Sequence, residues 1–410
     1  MRMDAGTPGK EWFKMRIESL RLKNYKSFRD AVMADMPRLC VIVGANGTGK
    51  TTLFGVFGFL KDCLVHNVRQ ALQGRGGFRE MLSRGADLAE GIEIEIKFRL
   101  EIAGIERLVT YFVHIGEDKG RPVVLREVLR YKRARHGKPF HFLDFRHGSG
   151  YAITNEEDFN RPDEELEREE QRVAPDTLAI SGLGQFERFK AANAFRQLIE
   201  NWHVSDFHIN QARGTKDAIG MGDHLSVTGD NLQLVARHLY ESYPEIFQKV
   251  LDGMRHRVPG VSDITPKLTD DGRLLLQFRD GAFKDPFIDR YVSDGTIKMF
   301  AYLVLLYDPK PHPLLCVEEP ENQLYPKLLG ELAEEFRAYA LRGGQVLVST
   351  HSPDFLNALE LEEVFWLRKR DGYSEILRAK DDEQIAAYMA DGDKMGWLWK
   401  QGFFEGADPQ

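Results

Sequence analysis

The chain is 410 residues long, which suits one or two domains and is too short for three of ordinary size. Hydrophobic side chains make up 42% of it and charged ones 29%, the mix of a globular chain that can bury a sizeable core. With 56 basic against 63 acidic side chains, the formal charge of −7 excludes a chain coated in nucleic acid by bulk charge alone, while a local basic stripe stays compatible.

Met15 to Leu22 alternates through Ile17, Leu20 and Leu22 and predicts a strand, with Asn24-Tyr25-Lys26-Ser27-Phe28 as a turn or strand edge. Leu39 to Val43 is a short, unbroken apolar run, the pattern of a strand buried on both faces. From Lys50 to about Val68, Leu53, Val56, Phe57, Leu60 and Leu64 fall at helical spacing. Between Gly91 and Val128 the period becomes two: Ile92, Ile94, Ile96, Phe98 and Leu100 alternate with Glu93, Glu95, Lys97 and Arg99, which predicts an antiparallel β-lobe. Tyr131 to His147 is basic and aromatic (Lys132, Arg133, Arg135, Lys138, Phe140, Phe142, Phe145, Arg146) and reads either as a nucleic-acid surface or as two hairpin strands with a solvated face.

The Glu-rich run from Asn155 to Arg172 is expected as an exposed helix or a mobile connection. Phe186 to Trp202 is helical in spacing, Gly214 to Gly222 a flexible loop, Leu232 to Met254 one or two helices, and Leu274 to Phe278 a strand. Helix and strand then alternate through Ile297–Leu306, Leu314–Val317, Lys327–Ala340, Gln345–Ser349, Phe355–Leu359 and Val364–Arg368, which calls for a parallel sheet covered on both faces. Asp381-Asp382-Glu383 reads as a solvated helix start. The aromatic stretch from Met395 to Phe404 either packs on the body of the protein or docks a partner.

Three scattered cysteines, Cys40, Cys63 and Cys316, with no CxxC spacing, argue against a disulfide framework or a structural zinc site. No stretch approaches the roughly 20 apolar residues that span a bilayer. The start, Met1 to Lys14, has no apolar core of a signal peptide, so a cytoplasmic protein without a membrane partner is expected.

Gly44-Ala45-Asn46-Gly47-Thr48-Gly49-Lys50-Thr51 matches GxxxxGK[ST], between a buried strand and a helix. Glycines let successive backbone N–H groups turn inward around phosphates, and the helix N-terminus adds partial positive charge. The expected nucleotide-binding set is Gly44, Asn46, Gly47, Thr48, Gly49, Lys50, Thr51 and Thr52, for ATP. Lys50 would reach the β- and γ-phosphates and the Thr51 hydroxyl would ligate Mg²⁺.

Leu314 to Glu319 is a hydrophobic strand ending in two carboxylates. Phosphoryl transfer to water needs one acid for Mg²⁺ and one base for the water, roles that Glu318 and Glu319 fit in that order. By itself the pair is a weak signal, since a solvated strand end looks the same. Pro320-Glu321-Asn322 directly after it, and a second buried strand ending at Thr350-His351-Ser352-Pro353, strengthen it. His351 stands where a γ-phosphate sensor would. Val292-Ser293-Asp294-Gly295-Thr296 precedes an apolar helix; Ser293 or Asp294 serves as its cap, or the helix start is a second anion site.

In this order, phosphate loop, Ser-Asp-Gly-Thr helix start, Glu318-Glu319-Pro320-Glu321-Asn322 and Thr350-His351-Ser352-Pro353 resemble the head domains of ABC-type ATPases. More closely, with Asn24-Tyr25-Lys26-Ser27-Phe28, the chain resembles the RecF/SMC-like branch and its relatives, the AAA-type ATPases of the OLD (overcoming lysogenisation defect) group. The resemblance covers residues 15 to about 60 and 225 to 370. It implies an α/β P-loop head with a mixed or parallel sheet, an antiparallel β-lobe and a helical insertion. The corresponding division is an N-terminal ATPase lobe at 15–130, an insertion at 131–225, a C-terminal ATPase lobe at 226–370 and a tail at 371–410.

It further implies a head that dimerises around ATP. Ser293 and Gly295 of one protomer would contact the γ-phosphate held by Lys50 of the other, with Glu321 and Asn322 in the segment crossing the interface. Lys26 and Ser27 would lie at the nucleotide edge. Asp-Gly-Thr in the signature, and Glu318 in place of the usual aspartate, point away from transporters. The Mg²⁺-sensing glutamine has Gln70 and Gln73 as candidates by position only. The long interval between Lys50 and Ser293 lacks the heptads of a condensin-like tether, and the stretch after His351 is too short for the Toprim domain of an OLD nuclease. The expectation is an ATP-hydrolysing, homodimerising ATPase that acts on DNA or on a separately encoded nuclease or other effector, in repair or defence. The alternative is a nucleotide-switched interaction module with little turnover and no DNA contact.

Overall fold

Alternation of period two builds the first lobe. In the computed structural model, which describes residues 15–407 except 103–104, 134–137, 157–161, 163–164, 206, 208, 215, 218–219 and 221, the chain opens with the hairpin β1 (Arg16–Tyr25) and β2 (Phe28–Met33). Next come the buried strand β3 (Leu39–Val43) and three helices, α1 (Lys50–Val65), α2 (Val68–Gln73) and α3 (Phe78–Met81). Six antiparallel strands follow: β4 (Ile92–Ile102), β5 (Ile105–Asp118), β6 (Arg121–Tyr131), β7 (Phe140–Arg146), β8 (Ser149–Ile153) and β9 (Arg168–Arg172). They join the hairpin in one eight-stranded sheet ordered β2-β1-β4-β5-β6-β7-β8-β9. On β4 the predicted face is the buried one: Ile92, Ile94, Ile96, Phe98 and Leu100 all point inward.

The basic aromatic segment resolves in favour of the hairpin. Tyr131, Phe142 and Phe145 are buried, with Tyr131 stacked on Phe142 at 3.8 Å between ring centroids, so these aromatics are core and cannot stack on bases. Arg135 lies outside the described residues. The Glu-rich run, expected as a helix or mobile connection, ends instead in β9, an edge strand whose charged side chains alternate between half-buried and exposed; its Glu and Arg residues suit an edge that must not pair further. The sheet crosses residue 131 without a break.

Two helices, α4 (Ala179–Leu183) and α5 (Lys190–Glu200), pack on this sheet; Phe195 of α5 stacks on Phe98 and leans on Tyr111, each at 4.5 Å. Then come β10 (His203–Ser205), α6 (Ile209–Ala212), β11 (Lys216–Asp217), α7 (Leu232–Ser242) and α8 (Pro244–Arg257). The strand β11 falls inside the stretch expected as a loop. A small antiparallel sheet is formed by β11 with β12 (Val261–Leu268), β13 (Arg273–Asp280) and β14 (Phe287–Ile288).

The remaining elements are α9 (Asp294–Leu306), β15 (Leu314–Glu318), α10 (Lys327–Leu341), β16 (Gln345–Thr350), α11 (Pro353–Leu356), β17 (Val364–Arg370), β18 (Tyr373–Arg378), α12 (Glu383–Ala390) and α13 (Met395–Lys400). The second large sheet runs β10-β15-β16-β3-β17-β18, parallel except for the β17–β18 hairpin. Asp382 caps α12 as the sequence suggests, accepting from the Gln384 and Ile385 N–H groups. The aromatic tail packs on the head: Leu398 and Phe404 are fully buried, and Phe404 meets Trp366 and Trp399 edge-on at 5.5 Å each.

The parallel strands divide two hydrophobic cores. On β3, Cys40 and Ile42 point into the core shared with the antiparallel sheet and α1, while Leu39, Val41 and Val43 point into the core of α7 to α10. A continuous apolar strand is what this two-sided burial requires. Buried Gln345 ties the sheets together, its Oε1 accepting from the Ile17 N–H and its Nε2 donating to the Ile17 carbonyl, both at 2.9 Å.

Candidate functional site

The phosphate loop fills the turn between β3 and α1, at the C-terminal edge of the parallel sheet. Gly49 takes φ +109°, and a Cβ there would lie 2.7 Å from Ser374 Oγ and 2.9 Å from Ser27 Oγ, so both conformation and space demand glycine. Ser374 Oγ donates to the Thr48 carbonyl at 2.6 Å and anchors the loop to β18. The Lys50 ammonium curls back onto the loop, donating to the Gly44 and Ala45 carbonyls at 2.6 and 3.2 Å. Burial lowers its pKa, against the opposing pull of Glu319, Glu321 and Glu318. The Ala45 N–H is taken by the tail, donating to the Ala407 carbonyl at 2.6 Å.

A cleft of about 570 Å³ opens over this loop, a size suited to a nucleotide. Asn46, Gly47, Gly49, Lys50, Thr51 and Thr52 line it, together with Lys26 and Ser27. Gly44 and Thr48 lie beneath the surface of the loop, Thr48 Oγ1 donating to the Ala45 carbonyl at 2.9 Å. Six further cleft residues escaped the sequence reading: Glu80, Leu82, Arg84, Lys369, Gly372 and Tyr373. Their segments are far apart in the chain, and Tyr373 joins them by donating to the Arg84 carbonyl at 2.7 Å. Gln70 and Gln73, the positional candidates for a Mg²⁺ sensor, are exposed on α2 and do not line the cleft.

At the end of β15, two strands from β3, Glu318 Oε2 accepts from Thr51 Oγ1 at 2.7 Å. The next residue, Glu319, has φ +44°, a conformation rare outside glycine, and its N–H donates to the Ser349 carbonyl at 2.9 Å. That bend turns the Glu319 carboxylate into the cleft. Glu319 Oε2 accepts from Asn322 Nδ2 at 3.1 Å, and Oε1 lies 3.7 Å from His351 Nδ1. Glu321, placed by resemblance in a crossing segment, is engaged within its own head: its Oε1 accepts from Thr350 Oγ1 at 2.8 Å and from the His351 N–H at 2.9 Å. Beneath this bend Lys298 Nζ donates to the Asn322 carbonyl at 2.8 Å, and burial pushes its pKa down to about 8.

Ser293 stands apart from the cleft. It caps α9, Oγ accepting from the Thr296 N–H at 3.3 Å, and is solvent-exposed. Gly295 is pressed against the segment after the acidic pair, where a Cβ would sit 2.7 Å from the Gln323 carbonyl. Asp294 is paired with Arg213, which also donates to the Arg290 carbonyl at 3.1 Å. Tyr291 and Tyr325, 73% and 71% exposed, flank this corner.

The model of a family described as "AAA domain, putative AbiEii toxin, Type IV TA system" matches residues 39–357, over three quarters of the chain, including β3, β15 and β16 with the phosphate loop and the acidic pair. The chain belongs to this family. A second AAA-domain model matches residues 15–60. Among curated proteins, the DNA replication and repair protein RecF of Idiomarina loihiensis is 30% identical over 102 residues, which are 23% of this chain and 28% of that protein. The chain thus spans under a third of the relative it matches. Among solved structures, an Smc head bound to the C-terminal winged-helix domain of ScpA superposes with a TM-score of 0.54 at 16% identity, over 88% of this chain and 96% of that one. The Smc head with an extended coiled coil from Pyrococcus furiosus gives 0.47 at 16% identity over 92% and 100%. The fold is that of an SMC-type head. Among the described residues no helix is long and apolar enough to cross a membrane.

Proposed function

We propose that this head binds and hydrolyses ATP and dimerises around it. The observation that carries the reading is the convergence of two pairs from three neighbouring strand ends, Thr51 with Glu318 and Glu319 with His351, on the cleft that Thr51 and Glu319 line. The residues present fit Mg-ATP. The loop offers N–H donors and the α1 N-terminus to phosphate, Lys50 needs only to exchange carbonyl partners for phosphate oxygens, and Thr51 and Glu318 face each other as paired oxygen donors. A magnesium ion held by those two supplies positive charge to the phosphate oxygens. Glu319 accepts a proton from, and orients, the attacking water; His351, close to that carboxylate, faces the γ-phosphate side.

Exposed Ser293 beside two exposed tyrosines supports a second head closing over the cleft, with Ser293 and Gly295 acting in trans. The family and the partial likeness to RecF favour action on DNA, or control of a separately encoded nuclease or other effector, in repair or anti-phage defence. The test is the solution mass of Glu319→Gln by light scattering with and without Mg-ATP. An ATP-dependent doubling is expected; a monomer under both conditions overturns the trans role of Ser293.

A further inference from the structure

We propose that His224, Asp308 and His312 form a binding site for a divalent transition-metal cation of the zinc class, at the end of the parallel sheet opposite the nucleotide cleft. His312 precedes β15, Asp308 follows α9, and His224 lies in the connection leading to α7. One ligand atom from each lies within 4.8 Å of the others.

The hydrogen bonds settle what His312 offers. Its Nδ1 is 3.0 Å from the Asn201 carbonyl, which can only accept, so Nδ1 carries the proton and Nε2 presents a lone pair. That Nε2 is buried and has no hydrogen-bond partner among the described residues, on a side chain only 8% exposed. A ring N–H given to a carbonyl with the other nitrogen left over is how metal-binding histidines are commonly oriented.

The carboxylate of Asp308 is likewise fixed, one oxygen accepting from the Lys310 N–H at 2.7 Å and the other 2.7 Å from His224 Nδ1. His203 stacks on His312 at 4.8 Å, and its own Nε2 is buried without a partner. A buried imidazole nitrogen such as that of His312 is costly to leave without a partner unless something covers it. Lys61 does not, since its ammonium donates to the Trp202 carbonyl at 2.8 Å. A cation does. Two imidazoles and a carboxylate suit Zn²⁺ and its neighbours, whereas Mg²⁺ and Ca²⁺ prefer all-oxygen shells. Cysteine spacing carries no trace of such a site because no cysteine takes part. Bound metal staples the connection before α7 to the far end of α9, the helix that Ser293 caps.

The test uses the full chain without a histidine tag, stripped by chelator and titrated with Zn²⁺ by calorimetry, with Co²⁺ absorption reporting coordination. One equivalent is expected, with a rise in Tm. His224→Gln, at a half-exposed position, and Asp308→Asn are each expected to weaken binding at least about tenfold and abolish the Tm rise; His312→Gln serves as the third variant, with circular dichroism checking each fold. Glu319→Gln is expected to bind as wild type does. No stoichiometric binding, or binding kept in His224→Gln and lost in Glu319→Gln, overturns the proposal; the latter would place the metal at the acidic strand end.

Discussion

Thr51 Oγ1 donates to Glu318 Oε2 across two strands at 2.7 Å, whereas the adjacent Glu319 turns away from that pair toward His351. Neighbouring carboxylates therefore face different partners, and their substitutions should separate. Thr51→Val is expected to weaken ATP binding at least about tenfold with Mg²⁺ and much less in chelator, measured by calorimetry. Glu319→Gln should keep ATP binding and lose about a hundredfold or more of turnover, measured as phosphate release. Equal turnover in Glu319→Gln and wild type would remove Glu319 as the base.

Gly295 touches the Gln323 carbonyl where any Cβ would intrude at 2.7 Å. Backbone cannot swing aside as a flexible side chain does, so Gly295→Ala is expected to lose about 1–3 kcal/mol in urea denaturation. An unchanged midpoint would mean that α9 does not approach the post-acidic segment so closely.

Lys298 provides a pH signature. Its folded pKa of about 8 lies below the ordinary 10.5, because burial outweighs the pull of Glu321 and Glu319. Between those values the unfolded chain holds a proton that the native state has released, so this residue's contribution to stability rises with pH from 8 to 10.5. Below pH 8 the penalty of a buried charge is present in full, on the order of 3 kcal/mol. Lys298→Met should flatten the rise, seen as the difference between the two proteins in denaturation midpoints from pH 7 to 10. Parallel profiles would show that Lys298 titrates normally.

Phe404 is fully buried between Trp366 and Trp399, three residues before the carbonyl that accepts from the Ala45 N–H. Phe404→Ala is expected to cost about 3–5 kcal/mol by loss of buried area and the cavity left behind. It should also change ATP affinity, through the loosened Ala407 contact. Calorimetric ATP titration of the variant reads the second effect, and an unaltered affinity would separate the tail from the loop.

What the sequence made legible has a common physical basis. The phosphate loop, the alternation on β4 and the apolar runs of β3, β15 and β16 are local patterns, each carried by consecutive residues with one period. What it hid depends on distance. Arg84 and Tyr373 meet only because β18 folds back beside the loop, and the three histidines at 203, 224 and 312 converge from separate segments. The Glu-rich run misled because polar alternation on an edge strand is hard to tell from a solvated helix when no apolar stripe marks either. The segment 131–147 left a surface and a hairpin open, and only the register decides it: Phe142 and Phe145, three residues apart, both turn inward because the β6–β7 pairing shifts by one residue at Phe142.

The position of β3 has a thermodynamic consequence. Its five side chains are shared out between the two cores, so neither core can melt while the other keeps this strand. A slip of one residue would exchange the two sets and ruin both. The lobes are thus one cooperative unit, and a ligand gripped at the tip of β3 protects them together. At a hundredfold excess over its Kd, nucleotide would add about 2.7 kcal/mol to the whole. Amide protons in the antiparallel sheet, remote from any phosphate, would slow their exchange with solvent as the loop fills.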